Sequence, residues 1–390
     1  SRCVYCDFYS TTFGQSVQNE YVAALEHEAA LRADYLPSRK FDSLYIGGGT
    51  PSVLTAANMK RLFDLVHREF SFVPDAEITI ELNPNDVTAE LTDLLAGCGV
   101  NRVSMGVQSF DNRMLAFLRR RHNAAQALNA VATVRSGGIS NISIDLIYGL
   151  PNQSMADWRN DLAQAFDLPI SHISAYSLMY EEGTPLYTMR ERQQVAEAPE
   201  ELSLEMFGAL RQYACEKGFE HYEISNFALP GKQAHHNTGY WNGMYYLGLG
   251  PGAHSYNGTS RQYNASDVMA YISAYAPGSQ NNSGVVEQET LSRIQQQEET
   301  LLTSLRTAHG LDLPQFADRF GTDALHRVLK RALPYISRGQ LTLANQYADT
   351  FPSGNANNIS EEADLDQYLS LGLTAEGIFV SDDIISSLFD

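Results

Sequence analysis

Several features that define common classes of protein are scarce in this chain. It has only four cysteines among 390 residues, too few for a disulfide framework to hold it together. No run of about 18 apolar residues occurs, so no segment is expected to span a bilayer. Acidic residues outnumber basic ones by 46 to 27, and a formal net charge of −19 argues against a nucleic-acid partner. We therefore expect a soluble protein of the cytoplasm.

The four cysteines fall into two groups. Cys98 and Cys215 lie in helix-like patterns and are expected to be buried thiols. Cys3 and Cys6 form a C-x-x-C pair in "SRCVYCDFYS" at the start of the chain. Such a pair occurs in redox dithiols, in zinc sites and in iron–sulfur sites, and the pair alone does not decide among them.

The hydrophobic pattern predicts alternating strands and helices over the first half of the chain. Five short strands separated by helices are typical of βα units and a parallel sheet. The predicted strands are "FDSLYIGGG", "EITIELN", "RVSMGVQ", "ISIDLIYG" and "HISAYSL". Each runs into polar or glycine-rich residues, and active sites of parallel α/β folds lie where the strands end. The pattern therefore predicts an α/β fold with one shared site.

The character of the sequence changes twice after the last of these strands. We expect the barrel-like part to cover residues 1–198, an extension rich in His, Asn, Tyr and Gly to cover 199–289, and a small, mostly helical domain to cover 290–390. The last part resembles a winged helix, a fold that often binds DNA. The acidic charge of the chain favours a purely structural role for it.

Polar residues near the predicted strand ends are the candidate ligand contacts. The glycines of "GGGTPS" would let a ligand approach the backbone closely. Glu81, Gln108 and Asp145 follow or end strands, and Arg120 lies in "RRRHN". Carboxylates suit an amine or ribose hydroxyls, and an arginine suits a carboxylate. Each residue taken singly could instead have a structural role.

The order and spacing of five motifs resemble those of a known family. The motifs are "GGGTPS", "GVQSF", "IDLIYGLP", "HISAYSL" and "YEISNFA…HHNTGYWNG…YLGLGPGAHS". They are similar to those of the radical SAM proteins related to oxygen-independent coproporphyrinogen III oxidase, and most similar to the heme chaperone branch. The resemblance covers nearly the whole chain. It implies a partial (β/α)6 TIM-like barrel with a C-terminal extension, a 4Fe-4S cluster bound through C-x-x-x-C-x-x-C, and S-adenosylmethionine chelated to one iron.

The resemblance also implies roles for individual residues. Cys3 and Cys6 correspond to the second and third cluster ligands, and the first would lie two positions before Ser1, together with a sixth barrel strand. The residues implied in S-adenosylmethionine binding are Phe8, Gly48, Gly49, Thr50, Glu81, Gln108, Arg120, Asp145 and His254. With one ligand before Ser1, we expect an incomplete cluster site in the chain as given.

Two further motif positions favour heme handling over porphyrinogen chemistry. The decarboxylating relatives carry a cysteine two positions after the third ligand, where this chain has Phe8. The heme chaperone branch has the motif H-N-x-x-Y-W, present here as His236, Asn237, Tyr240 and Trp241. Imidazole is a common axial ligand of heme iron, and the two aromatic rings could stack on a porphyrin.

Three hypotheses therefore remain. The first is a heme chaperone that delivers heme to an unidentified acceptor protein, with membrane association, if any, through a partner. The second is a coproporphyrinogen III dehydrogenase of porphyrin biosynthesis, which performs radical oxidative decarboxylation. The third is a barrel whose Cys3 and Cys6 bind zinc or nothing, and it leaves the strand-end motifs unexplained. We favour the first.

Overall fold

Helices and strands alternate in the order that the hydrophobic pattern predicts. The computed structural model describes residues 3–7, 9, 15–276, 279, 286–353 and 368–389. The helices are α1 (Gln15–Arg32), α2 (Ala56–Glu69), α3 (Ala89–Gly97), α4 (Asn112–Phe117), α5 (Ala124–Ser136), α6 (Met155–Asp167), α7 (Pro185–Glu191), α8 (Glu200–Glu216), α9 (His235–Trp241), α10 (Val268–Ala274), α11 (Arg293–Leu305), α12 (Leu313–Phe320), α13 (Thr322–Ser337) and α14 (Ser381–Ser387). The strands are β1 (Lys40–Ile46), β2 (Ser71–Leu82), β3 (Arg102–Gln108), β4 (Asn141–Tyr148), β5 (His172–Ser177), β6 (Glu220–Glu223), β7 (Asn226–Ala228), β8 (His254–Tyr256), β9 (Ser260–Asn264), β10 (Val286–Thr290), β11 (Leu311–Asp312), β12 (Leu341–Ala344) and β13 (Ser370–Leu373).

The chain divides into two compact units, and each is made of two separate segments. The first unit comprises Ser1–Tyr213 and Tyr245–Glu289, and the second comprises Ala214–Met244 and Thr290–Asp390. The segment 199–289, expected as one extension of the barrel, is thus shared between the units. No helix of the described residues has both the length and the apolar character needed to cross a bilayer.

A half-barrel of parallel strands forms the first unit. Strands β1 to β5 pair in sequence order, and every one of these pairs is parallel. Side chains alternate between the two faces of a strand, and here one face is apolar while the other is polar. The register aligns Glu81 with Ser104 and Ser143 on one row, and Gly106 with Asp145 and Ser174 on the next. The predicted α/β half-barrel is confirmed.

A buried carboxylate on α1 fixes a glycine-rich loop of the same unit. Glu28 is fully buried and accepts hydrogen bonds from the backbone N–H of Gly250 at 2.8 Å, from Asn264 at 2.7 Å and from the Tyr271 hydroxyl at 2.5 Å. Arg32, one turn further along α1, pairs with Glu28 at 3.0 Å and donates to the carbonyl of Gly248. These bonds hold the start of "GLGPGAHS" against α1.

The second unit contains the predicted winged-helix-like domain. Helices α11, α12 and α13 pack with a three-stranded antiparallel sheet in the order β11-β13-β12. Asp312 caps α12 by accepting from the N–H of Gln315, and Gly321, with φ of 97°, makes the turn between α12 and α13. A mostly helical C-terminal domain is therefore confirmed.

The cysteines outside the C-x-x-C pair are less buried than expected. Cys215 is exposed and Cys98 is half-buried, so the prediction that both are buried thiols is wrong. Cys215 lies in the last turn of α8, and Cys98 ends α3 as its C-terminal cap. Helical periodicity predicts which side chains of a helix face the core, but it does not predict burial in the last turn, where the helix ends.

Candidate functional site

The C-x-x-C segment is held in place by the residue that follows Cys3. Val4 is only 1% exposed and packs against Leu118 and Leu186 in an apolar cluster. Its N–H donates to the carbonyl of Leu118 at 3.3 Å, and its carbonyl accepts from the N–H of Leu186 at 2.9 Å. The short cysteine segment is therefore fixed by backbone bonds on both sides and by a buried side chain.

Arg120 connects the cysteine segment to the sheet. Its Nη1 donates to the Sγ of Cys3 at 3.4 Å, and its Nη2 donates to the carbonyl of Gly106 on β3 at 2.5 Å. A Cβ on Gly106 would come within 3.2 Å of the same Nη2, so the glycine leaves room for the guanidinium. The buried Nε of Arg120 has no hydrogen-bond partner among the described residues. The structure thus places a cation, with one donor unused, beside the Cys3 thiol.

Glu81 organises the glycine loop that follows β1. It accepts from the Tyr45 hydroxyl at 2.7 Å and from the N–H of Gly48 at 3.2 Å. Gly48 has φ of 103°, a conformation that favours glycine. No atom of the described residues lies within 4 Å of a Cβ built on Gly49. The loop is therefore anchored at one glycine and open at the next, and Thr50 follows as the start of a short 3₁₀ turn.

Two carboxyl groups on the polar face of the half-barrel have raised pKa values. Burial raises the pKa of Glu81 to about 7, against the opposing effect of its two hydrogen-bond donors. Burial also raises the pKa of Asp145 to about 6, although Arg102 and hydroxyls of Ser174 and Ser104 oppose the shift. A cationic ligand bound beside either carboxyl would lower its pKa, because such a ligand favours the ionised form.

Stability should therefore depend on pH through Glu81. The pKa of Glu81 is higher in the folded than in the unfolded state, so the protonated side chain contributes to the free energy of unfolding. This contribution is complete below about pH 4.5 and is lost as the pH rises through about 7. Between about pH 5 and pH 8 the free energy of unfolding of the wild type should fall by about 2 kcal/mol more than that of Glu81→Gln. Urea denaturation at both pH values measures this difference. Asp145 titrates in both proteins, so equal falls in the two would contradict the assignment.

The remaining residues proposed for S-adenosylmethionine lie on several elements. Gln108 ends β3, is buried, and has φ of 71°, which is unusual for a residue other than glycine. His254 belongs to β8 of a separate three-stranded sheet, where its ring stacks on Tyr263 at 5.4 Å. Burial, with help from Arg261, lowers the pKa of His254. Phe8 lies outside the described residues.

The three side chains proposed for heme lie on two faces of α9. Residues three or four apart share a helix face, so His236 and Tyr240 lie together while Thr238 and Trp241 lie on another face. The Nε2 of His236 is 2.9 Å from the Tyr240 hydroxyl, and their rings meet edge to face at 5.0 Å. Tyr240 is 38% exposed. His236 is therefore placed near the surface, and Trp241 does not share its face.

Trp241 instead lines a cleft of about 420 Å³ in the second unit. The guanidinium of Arg306 lies 5.0 Å from the centroid of its ring, and buried Glu223 holds that guanidinium at 3.1 Å. The buried indole Nε1 has no hydrogen-bond partner among the described residues. The cleft is also lined by Thr238, Thr303, His309, Phe316 and Arg319. It offers aromatic rings and hydrogen-bonding groups, with one buried donor unused.

Comparison with known proteins decides the family. Residues 1–165 match the model of the Radical SAM superfamily, and residues 291–352 match the model of the HemN C-terminal domain. A Lactococcus lactis protein described as heme chaperone HemW is 34% identical, over 82% of this chain and 82% of its own length. The chain belongs to the HemW family of radical SAM proteins. A HemW of Bacillus subtilis is 33% identical, over 82% of this chain and 84% of its own length.

A solved structure agrees with the fold of this HemW-family chain. Coproporphyrinogen III oxidase (HemN) from Escherichia coli superposes with a TM-score of 0.80, covering 100% of this chain and 87% of its own. The two sequences are 22% identical, so the likeness shows the fold alone. The family resemblance identified from the motifs is confirmed.

Four residues that shape the sites of this HemW-family chain were missed by the sequence reasoning. Tyr45 and Val4 hold Glu81 and the cysteine segment, and Glu28 and Arg32 hold the glycine-rich loop before His254. One signal was available for the two residues of α1. They continue the apolar stripe of that helix, where an acidic and a basic residue indicate a buried ion pair.

Proposed function

We propose that this chain is a heme chaperone, which binds heme and passes it to an acceptor protein with a 4Fe-4S cluster and S-adenosylmethionine as resident cofactors. The observation that carries the proposal is the HNxxYW helix, with His236 near the surface, in a chain whose relatives over most of its length are described as heme chaperones. His236 is half-buried and its Nε2 would exchange the Tyr240 hydroxyl for iron, and an imidazole so near the surface suits a protein that must both accept heme and release it.

The side chains of the half-barrel fit the two cofactors. Thiolates are the ligands that iron–sulfur clusters use, and Cys3 and Cys6 lie on one short segment fixed by Val4. S-adenosylmethionine carries a sulfonium, an amine, a carboxylate and ribose hydroxyls. Glu81 and Asp145 suit the cationic groups, and the unused Nε of Arg120 suits a carboxylate.

The chain's own residues would act by binding and orienting. When bound, the cluster and S-adenosylmethionine supply redox chemistry that no side chain of the protein can supply. Arg120 would stabilise negative charge at Cys3, because its guanidinium already donates to that sulfur. Glu81 would position the glycine loop through Gly48, and a cationic ligand bound beside it would favour its ionised form, with the proton released to solvent.

Heme binding by His236 is tested by two neighbouring substitutions. We expect His236→Ala in the full-length protein to weaken heme binding at least about tenfold, because an axial bond to iron is lost. The comparison variant is His235→Ala, which removes the adjacent imidazole of the same helix, the second candidate ligand, and should retain nearly all binding because His236 is the proposed axial ligand. Heme titration followed by the Soret band measures both. A His236→Ala protein that binds heme as the wild type does would exclude this ligand.

The same preparation separates the chaperone from the decarboxylase. The full-length protein, purified without oxygen and reconstituted with its cluster, is offered heme and coproporphyrinogen III in separate reactions. Stoichiometric heme binding without formation of protoporphyrinogen supports the chaperone. Turnover of coproporphyrinogen III would instead establish decarboxylase activity and contradict the chaperone proposal.

A further inference from the structure

One residue of α1 holds the far end of the glycine loop that follows β1, which is the segment from Gly47 to Thr55. The carboxamide of Gln18 donates from Nε2 to the carbonyl of Val53 at 3.0 Å, and its Oε1 accepts from the N–H of Thr55 at 3.0 Å. A donor and an acceptor on one rigid amide thus engage two backbone groups that lie two residues apart. This pairing fixes both the position and the direction of the backbone at Val53–Thr55.

The loop is held at its other end by a different element. Gly48 donates to Glu81 on β2, whereas Val53 and Thr55 are held by Gln18 on α1. Between these anchors, the N–H of Val53 bonds to the carbonyl of Thr50 at 3.2 Å and so closes one short turn. The backbone from Gly48 to Thr50, proposed to contact S-adenosylmethionine, is therefore held on one side by Glu81 and on the other by Gln18.

The same helix also follows the cysteine segment in the chain. Helix α1 begins at Gln15, nine residues after Cys6, and Gln18 lies in its first turn. We propose that Gln18 is a positioning residue of the cofactor site, which sets the glycine loop in its ligand-binding conformation from the helix that follows the cysteines. The inference rests on the proposed use of S-adenosylmethionine, and Gln18 itself is not assigned a contact with that cofactor.

The chain provides a matched pair of variants. Gln18→Ala removes both bonds to the loop. Asn19→Ala alters the next residue of α1 and removes its bond to Asn58 on α2, at 2.9 Å, without touching the loop. Both variants therefore loosen α1 against its surroundings, and only Gln18→Ala should release the loop.

Two measurements test the inference, one of them on protein without cofactor. Backbone amide hydrogen exchange at Thr55 should become at least about tenfold faster in Gln18→Ala and change less than about twofold in Asn19→Ala. The dissociation constant of S-adenosylmethionine on the reconstituted full-length protein should rise about tenfold in Gln18→Ala. Gln18→Glu keeps the acceptor for Thr55 and loses the donor to Val53, so it should fall between alanine and wild type.

The outcomes separate the positioning role of Gln18 from the proposed function. Unchanged exchange in Gln18→Ala, or an unchanged dissociation constant in that variant, would overturn the positioning role. Equal effects of Gln18→Ala and Asn19→Ala would also overturn it, because they would show a general loosening of α1. A wild type that binds no S-adenosylmethionine would contradict the proposed function, and the exchange measurement would still decide whether Gln18 holds the loop.

Discussion

A Glu28→Ala variant should have a free energy of unfolding about 3 to 5 kcal/mol below that of the wild type. Glu28 is fully buried and neutralises Arg32, whose side chain is itself only 9% exposed. Removing the carboxylate leaves the guanidinium without its buried counter-charge. It also leaves the N–H of Gly250 and the hydroxyl of Tyr271 without the acceptor that they now use. Urea denaturation, with the slope compared between the two proteins, measures the loss.

A second glutamate on the same helix provides the control for Glu28. Glu26 pairs with Arg61 at a partly exposed position of α1, so Glu26→Ala should lower the free energy of unfolding by about 1 kcal/mol or less. Backbone amides of Gly248, Gly250 and Gly252 should lose protection in Glu28→Ala alone. If the two variants had equal stability, the buried network would not be the anchor that its contacts indicate.

Local patterns made the parallel sheet and its polar strand ends predictable. Short apolar runs that recur between helical stretches predict the five strands. A further signal is present within the strands: "EITIEL" and "NISIDL" alternate polar and apolar residues. Parallel strands that are covered by apolar groups on both faces read as continuous hydrophobic runs. The alternation therefore indicates a polar inner face, on which Glu81 and Asp145 lie.

Contacts between distant parts of the chain could not be predicted in the same way. Glu28 and Asn264 are separated by 236 positions, and no local pattern relates them. The motif H-N-x-x-Y-W placed three side chains in one proposed site, but the helical period of α9 turns Trp241 away from His236 and Tyr240. A sequence motif specifies residue types, whereas the backbone conformation decides which of their side chains come into contact.

A Gly47→Ala variant should bind S-adenosylmethionine at least about tenfold more weakly than the wild type. A Cβ on Gly47 would lie 2.5 Å from Cε1 of Tyr45 and 2.7 Å from Oε1 of Glu81, distances that real Cβ atoms do not tolerate. Because Tyr45 and Glu81 are hydrogen bonded to each other, neither can move alone without breaking that bond, and a joint shift carries Glu81 away from Gly48. The displaced Glu81 would then release Gly48 and disorganise the loop.

The neighbouring glycine separates this clash from a general effect of alanine in the loop. A Cβ on Gly49 meets no described atom within 4 Å, so Gly49→Ala should keep the stability of the wild type, while Gly47→Ala loses about 1 to 3 kcal/mol. The pH dependence provides a second signature. Once Glu81 is pushed towards solvent, its pKa should return towards the ordinary value, and the fall in stability between about pH 5 and pH 8 should shrink as it does in Glu81→Gln. A Gly47→Ala protein with wild-type affinity and an unchanged pH dependence would show that the loop does not depend on Glu81.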